Sequence, residues 1–226
     1  MATRRIFEIL STIDRISVAS VPWRLENCSE LRILLGQGYS HHKESVKAIR
    51  QFDIVLEINP NHVLAMELKA LELRRQKRDL EAQEIIEKLL SIKPNNIGLW
   101  RELARIHQKL GEWKKARDVA KKMTVLAPYS PDHFIRMARA SIQLKELSEA
   151  TQALQEALAR DDKHTKARAM LAGTLTDQGH FLKAMEQAQV LINIDPDYPK
   201  ASQLFEMAAF LQVQWELSCK HGDGPY

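Results

Sequence analysis

Cysteine is nearly absent from this chain: its 226 residues hold two, Cys28 and Cys219, near opposite ends. That scarcity excludes a disulfide framework and makes a reducing, cytoplasmic setting the expectation. Aromatic side chains amount to 6%, few for the stacking platforms that hold single-stranded RNA, so nucleic acid is not an expected partner. No apolar run reaches the roughly 20 residues that span a bilayer. The basic start at Arg4 and Arg5 is soon interrupted by Glu8 and Asp14, which spoils the apolar core of a signal peptide.

Recognisable chemistry is missing as well. His41 and His42 are adjacent, so on a helix they point apart, and no nearby cysteine completes a zinc set. The turn Lys93-Pro94-Asn95-Asn96 is followed by neither a glycine-rich cradle nor a Gly-Lys-Ser/Thr sequence, one of which phosphate binding would need. His107 falls among apolar positions and reads as a buried histidine bonded to a neighbour. No catalytic residue, cofactor or metal is expected, and the chain reads as non-enzymatic. Its formal charge of +4 is local: residues 97–130 carry eight Lys and Arg against three acids, and the remaining segments are close to neutral.

What is present is a period. Prolines stand at 60, 94, 128 and 196, intervals of 34, 34 and 68, and the position missing from the series is held by Asp162 in the turn-like Arg160-Asp161-Asp162-Lys163. With 45% hydrophobic residues the chain could fill one large or two small domains. A fixed period instead points to an array that buries its core between neighbours. Placing each proline at position 32 gives five repeats: residues 29–62, 63–96, 97–130, 131–164 and 165–198.

Each repeat then carries a two-helix pattern. Position 8 is small (Gly36, Ala70, Ala104, Ala138, Ala172), and so is position 20 (Ala48, Ala82, Ala116, Ala150, Ala184), which lets two helices approach closely. Positions 24 and 27 form an apolar stripe on the second helix. Gly111 and Gly179 stand at position 15, where the first helix ends and the chain reverses. Proline at position 32 ends the second helix, and Asn95 or Asn96 can cap the next one. These small, apolar and proline positions resemble the tetratricopeptide repeat over residues 29–198; Lys69, Asp162 and Arg168 depart from its pattern.

The resemblance implies an all-α, right-handed α-solenoid of antiparallel helix pairs, with first helices lining a concave, peptide-binding groove through positions 2, 5, 6, 9, 12 and 13. Those positions hold Arg74, Arg75, Arg101, Arg105, Lys109, Arg136, Arg139 and Lys166, a basic centre suited to an extended acidic segment or a C-terminal carboxylate. Pairing of these arginines with acids such as Glu67 and Glu102 is the competing reading. The set that holds chaperone C-termini is incomplete, since both of its asparagines and its last arginine are absent. Lys114, Lys115, Arg117, Lys121 and Lys122 read as a solvated face on a second helix.

Outside the repeats, Ile6, Ile9, Leu10, Ile13 and Ile16 make residues 1–28 an amphipathic helix with its connection to the array, expected to cap the first repeat. Residues 199–220 read as a capping helix with more apolar surface than one face can hide, and Phe210, Leu211 and Trp215 are candidates for contact with another copy. Residues 221–226 are expected to be a disordered tail. The expected role is a protein-interaction scaffold, with a self-assembling structural protein or a regulatory subunit holding a catalytic partner as alternatives.

Overall fold

The structure, a computed structural model, describes residues 29–221. The expected N-terminal helix, Cys28 and the residues after His221 lie outside the described part. His221 itself, expected in the tail, is the last residue of a helix.

The described residues form eleven helices and no strand. They are α1 (Ser29–His41), α2 (Ser45–Ile58), α3 (Val63–Arg75), α4 (Asp79–Ile92), α5 (Ile97–Lys109), α6 (Trp113–Leu126), α7 (Pro131–Gln143), α8 (Leu147–Leu158), α9 (Thr165–Asp177), α10 (Phe181–Ile194) and α11 (Ala201–His221). Odd-numbered α1 to α9 are the first helices of the five repeats and even-numbered α2 to α10 the second. The fold class is an all-α solenoid. Its contacts divide into two compact units, one up to Ile106 and one from His107.

Each first helix ends in the same turn. The residues at position 15 all have left-handed backbones: Lys43 (φ 61°), Lys77 (61°), Gly111 (73°), Lys145 (64°) and Gly179 (77°). The glycines reveal the turn in the sequence. The lysines hide it, because a left-handed conformation costs an L-residue about 1–2 kcal/mol and is rarely filled by one.

The packing seam is the one that the small residues mark. Ala48, Ala82, Ala116, Ala150 and Ala184 are fully buried, as are Phe52, Leu154, Val55, Leu89 and Leu191 on the same stripes. In repeat 1, Leu35 and Tyr39 of α1 pack on Ala48 and Phe52 of α2. In the second unit one core joins Ile135 and Ala138 to Ala150, Leu154, Leu171 and Ala184, reaching Ala208 of α11.

Between repeats, the residue before the proline leaves the helical conformation and still bonds back into its helix: Asn59 N donates to Val55 O (2.9 Å), Lys93 N to Leu89 O (2.8 Å) and Ala127 N to Met123 O (2.9 Å). At three junctions the following helix is capped by the side chain at position 34, whereas Ser130 makes no such bond. Asn96 Oδ1 accepts from Leu99 N (3.3 Å), and the ring nitrogens of His62 and His164 accept from Ala65 N and Ala167 N (3.3 Å each).

The carbonyl at position 32 also finds a side-chain donor at all four repeat junctions, by different means. Trp100 Nε1 donates to Pro94 O (2.7 Å), Lys88 Nζ to Pro60 O (2.7 Å), and Arg168 to Asp162 O. Phe134, which cannot donate, instead carries the Arg160 guanidinium 4.0 Å above its ring centre, and Arg160 Nε donates to Pro128 O (2.5 Å). The departures from the family pattern are thus partnered. Arg168 also bonds Gln187 (2.8 Å), and Lys69 pairs with Asp53 across the α2–α3 junction (2.6 Å).

Candidate protein-binding site

The basic residues assigned to the first-helix faces do not share one environment. In the first unit, Arg74 at the end of α3 is 18% exposed and ion-paired to Glu102 on α5. Glu102 is shared with Arg105, one turn along α5, whose Nη1 lies 3.5 Å from it. Arg75 is held by Glu72, which is almost wholly buried. Arg74 is thus paired with an acid on a neighbouring helix, as the competing reading has it, while Arg75 is paired within its own helix. Arg101 differs: it is exposed and has no ion-pair partner among the described residues.

In the second unit, Arg139 is half-buried on α7 and Lys166 is exposed at the start of α9. Lys109 and Arg136 are engaged with neighbours. The first-helix faces thus carry fewer available cations than the sequence suggests, with Arg101 and Arg105 the solvent-facing pair on α5.

The basic surface expected on α6 needs correction. Arg117 turns inward, 17% exposed, to the carboxylates of Glu146 and Glu149 in the next repeat, and Glu149 also accepts from Ser141 Oγ (3.1 Å). That arginine ties α6 to the α7–α8 turn, while Lys114, Lys121 and Lys122 stay exposed. His107 is buried, as expected, and donates from Nδ1 to Glu112 Oε2 at 2.6 Å. Hydrogen bonds from Lys115 and then His107 hold the Glu112 carboxyl below its ordinary value.

Sequence reasoning missed a buried polar cluster in the first unit. Glu72, 1% exposed, accepts from Ser40 Oγ and from Arg75 Nη1, both at 2.5 Å, and Arg75 also donates to Ser40 Oγ at 2.7 Å. A glutamate at position 10, where Ile106, Ala140 and Thr174 stand in other repeats, was the available signal.

On α11 the expected set of Phe210, Leu211 and Trp215 is not one face. At 100° per residue, Met207, Phe210, Val213 and Leu217 form one stripe, opposite the buried Ala201 and Ala208. Leu211 and Trp215 lie toward the packed side by the same count, and Trp215 is nevertheless 49% exposed. No described helix is long and apolar enough to cross a membrane, and no described group of His, Cys, Asp and Glu could hold a metal ion.

Stacked 34-residue helix pairs closed on small residues define a helical-repeat protein of the protein-interaction class. The repeats of this chain are tetratricopeptide repeats: family models of that repeat match residues 97–140 and 141–207. Lipopolysaccharide assembly protein B of Escherichia coli strain K12 is 24% identical over 207 residues, covering 81% of this chain and 52% of that protein. The chain thus spans about half the length of the curated relatives it matches.

Two solved structures share the fold. YrrB, described as a TPR protein with an unusual peptide-binding site, aligns with a TM-score of 0.67 at 20% identity, over 85% of this chain and 95% of that one. MamA from Desulfovibrio magneticus RS-1 aligns with a TM-score of 0.66 at 16% identity, over 76% and 98%.

Proposed function

We propose that the chain is a non-enzymatic, cytoplasmic scaffold that binds an extended, acidic segment of a partner protein along the faces of its first helices. The observation that carries this reading is the pair on α5: Arg101, exposed and without an ion-pair partner among the described residues, and Arg105, 46% exposed and only loosely held by Glu102. Planar guanidinium forks suit carboxylates, and each charged hydrogen bond contributes about 1.5–3 kcal/mol. The peptide-binding description of YrrB agrees with such a use of the fold.

The test is a titration with a short fluorescein-labelled peptide rich in Asp and Glu, beside the same peptide with Gln and Asn in their place. The wild-type chain prefers the acidic peptide, and Arg101→Ala/Arg105→Ala loses about tenfold or more in affinity. Equal affinity of variant and wild type removes the reading.

A second reading is favoured by α11. Ala208, fully buried, takes the place of the small residue at position 8 of a first helix, so Met207 and Phe210 correspond to positions 7 and 10. In all five repeats those positions are buried or partly buried. On α11 they are 45% and 62% exposed, and Val213 and Leu217 continue the stripe. The occupant we infer is a second copy: a two-fold contact would bury the same apolar stripe on both chains, with Glu206, exposed on the same face, left at its edge. Mass in solution that rises with concentration, and stays monomeric in Phe210→Glu, is the expected result. A wild-type mass independent of concentration removes this second reading.

A further inference from the structure

On α3 a row of leucines occupies the face that the other first helices keep largely polar. Leu64, Leu68 and Leu71 stand at positions 2, 6 and 9 of repeat 2, and at 100° per residue they fall within about 60° of one another. Leu64 is 45% exposed and Leu71 41%, while Leu68 between them packs against clusters that hold Ile33 and Leu35 of α1. Leu34 of α1, 51% exposed at position 6, extends the apolar surface.

The packing of a repeat does not call for this row. In every other repeat at most one of the three positions holds a large apolar side chain, Leu34 in the first and Met170 in the fifth. The third has Gly98, Glu102 and Arg105 there, and the fourth has Asp132, Arg136 and Arg139. Leucines that face water where their counterparts are polar mark a contact surface.

The row lies beside the cations of α5. Arg74, three residues after Leu71, is ion-paired to Glu102 of α5, and Glu67, three residues after Leu64, is paired to Lys93 at the end of α4 (3.2 Å). The two charges that flank the row are thus engaged with neighbours. Across the helix spacing, Arg101 and Arg105 face solvent. All of these residues belong to the compact unit that ends at Ile106.

Packed helices lie about 8–10 Å apart. An extended chain of the polyproline II kind advances about 9 Å in three residues and returns its side chains to the same face. A bound segment with one side chain over α3 therefore places another over α5 three residues away.

We propose that Leu64 and Leu71 determine specificity by receiving a large aliphatic side chain of the bound segment, three residues from the acid held by Arg101 and Arg105. The proposal rests on the groove reading and adds the apolar half of the recognised motif. A segment that is acidic alone would leave the leucine row open to water.

The experiment uses a fluorescein-labelled peptide, Leu-x-x-Glu-x-x-Leu with Ser and Gly at x, which fits in either chain direction. It is compared with a peptide carrying Ser for both leucines and with one carrying Gln for the glutamate. In the wild type, loss of the leucines weakens binding about tenfold, and loss of the glutamate by a similar factor. Leu64→Gln/Leu71→Gln preserves helix preference and leaves Leu68 in the core. It cuts the leucine effect to about threefold or less and keeps the glutamate effect. Leu64→Met/Leu71→Met keeps both effects.

A leucine effect absent from the wild type, or undiminished in Leu64→Gln/Leu71→Gln, overturns the proposal. The groove reading survives that failure if Arg101→Ala/Arg105→Ala still removes the glutamate effect. If those arginine replacements change nothing while the leucine effect depends on Leu64 and Leu71, the acidic reading fails and the leucine row stands. Should the wild-type mass rise with concentration and Leu64→Gln/Leu71→Gln, unlike Phe210→Glu, stay monomeric, the row is a contact between copies and the proposal is overturned.

Discussion

Gly36 on α1 lies against the ring of Phe52 on α2: a methyl group at its Cα would stand 2.4 Å from Cε1 and 2.8 Å from Cζ. The other repeats carry alanine at this position and a smaller residue opposite, Ile86, Ala120, Leu154 or Ala188. The glycine and the phenylalanine are therefore two halves of one fit. Gly36→Ala gains about 1 kcal/mol of helix preference but forces the helices apart, for a net loss of about 1–2 kcal/mol in chemical denaturation. Adding Phe52→Leu recovers most of it. A single variant as stable as wild type would show that α1 and α2 separate without cost.

The turn at position 15 gives a prediction of opposite sign. Lys145 holds φ 64° at a place where Gly111 and Gly179 do the same without a side chain. Lys145→Gly should raise stability by about 0.5–1 kcal/mol, the relief of left-handed strain less the entropy added to the unfolded chain. Gly111→Ala should lower it by about 1 kcal/mol for the same reason. Thermal or urea denaturation of the two variants decides; changes of the same sign would contradict a shared left-handed turn.

Glu112 makes part of the stability pH-dependent. Its folded carboxyl is held below the ordinary value of 4.5 by Lys115 and His107. A carboxyl that is a stronger acid when folded stabilises the fold above the unfolded value, and loses that contribution as pH falls through the folded one. The stability gap between wild type and Glu112→Gln should therefore be open near about pH 7 and close toward about pH 3. A gap constant over that interval would mean that the charge of Glu112 contributes nothing.

Glu102 competes with any acidic ligand, since Arg74 and Arg105 share it. Glu102→Gln keeps the shape and removes the charge. Affinity for the acidic peptide should rise about threefold or more, with a steeper salt dependence. Unchanged affinity would place the peptide away from α5.

The sequence disclosed the fold because its determinants are local or lie between adjacent helices. The 34-residue interval fixed where helices end through Pro60, Pro94, Pro128 and Pro196, and the alanines at positions 8 and 20 marked the seam. The frame was also legible through Asn96, which caps α5. Lys43, Lys77 and Lys145 were illegible as turn residues, since lysine gives no hint of a left-handed backbone.

The candidate site was legible only as a list of cations. Arg74 and Glu102 are 28 residues apart, and Arg117 and Glu146 are 29 apart, so their pairing depends on how one repeat seats on the next. Position 12 of a first helix does not say whether an arginine there faces solvent or a carboxylate. By itself the sequence determined the helix pairs, their length and their packing seam, because close approach and chain reversal follow from residue size and backbone freedom. Tertiary structure alone decided which charges remain available, because electrostatic partners belong to neighbours that the chain brings together only on folding.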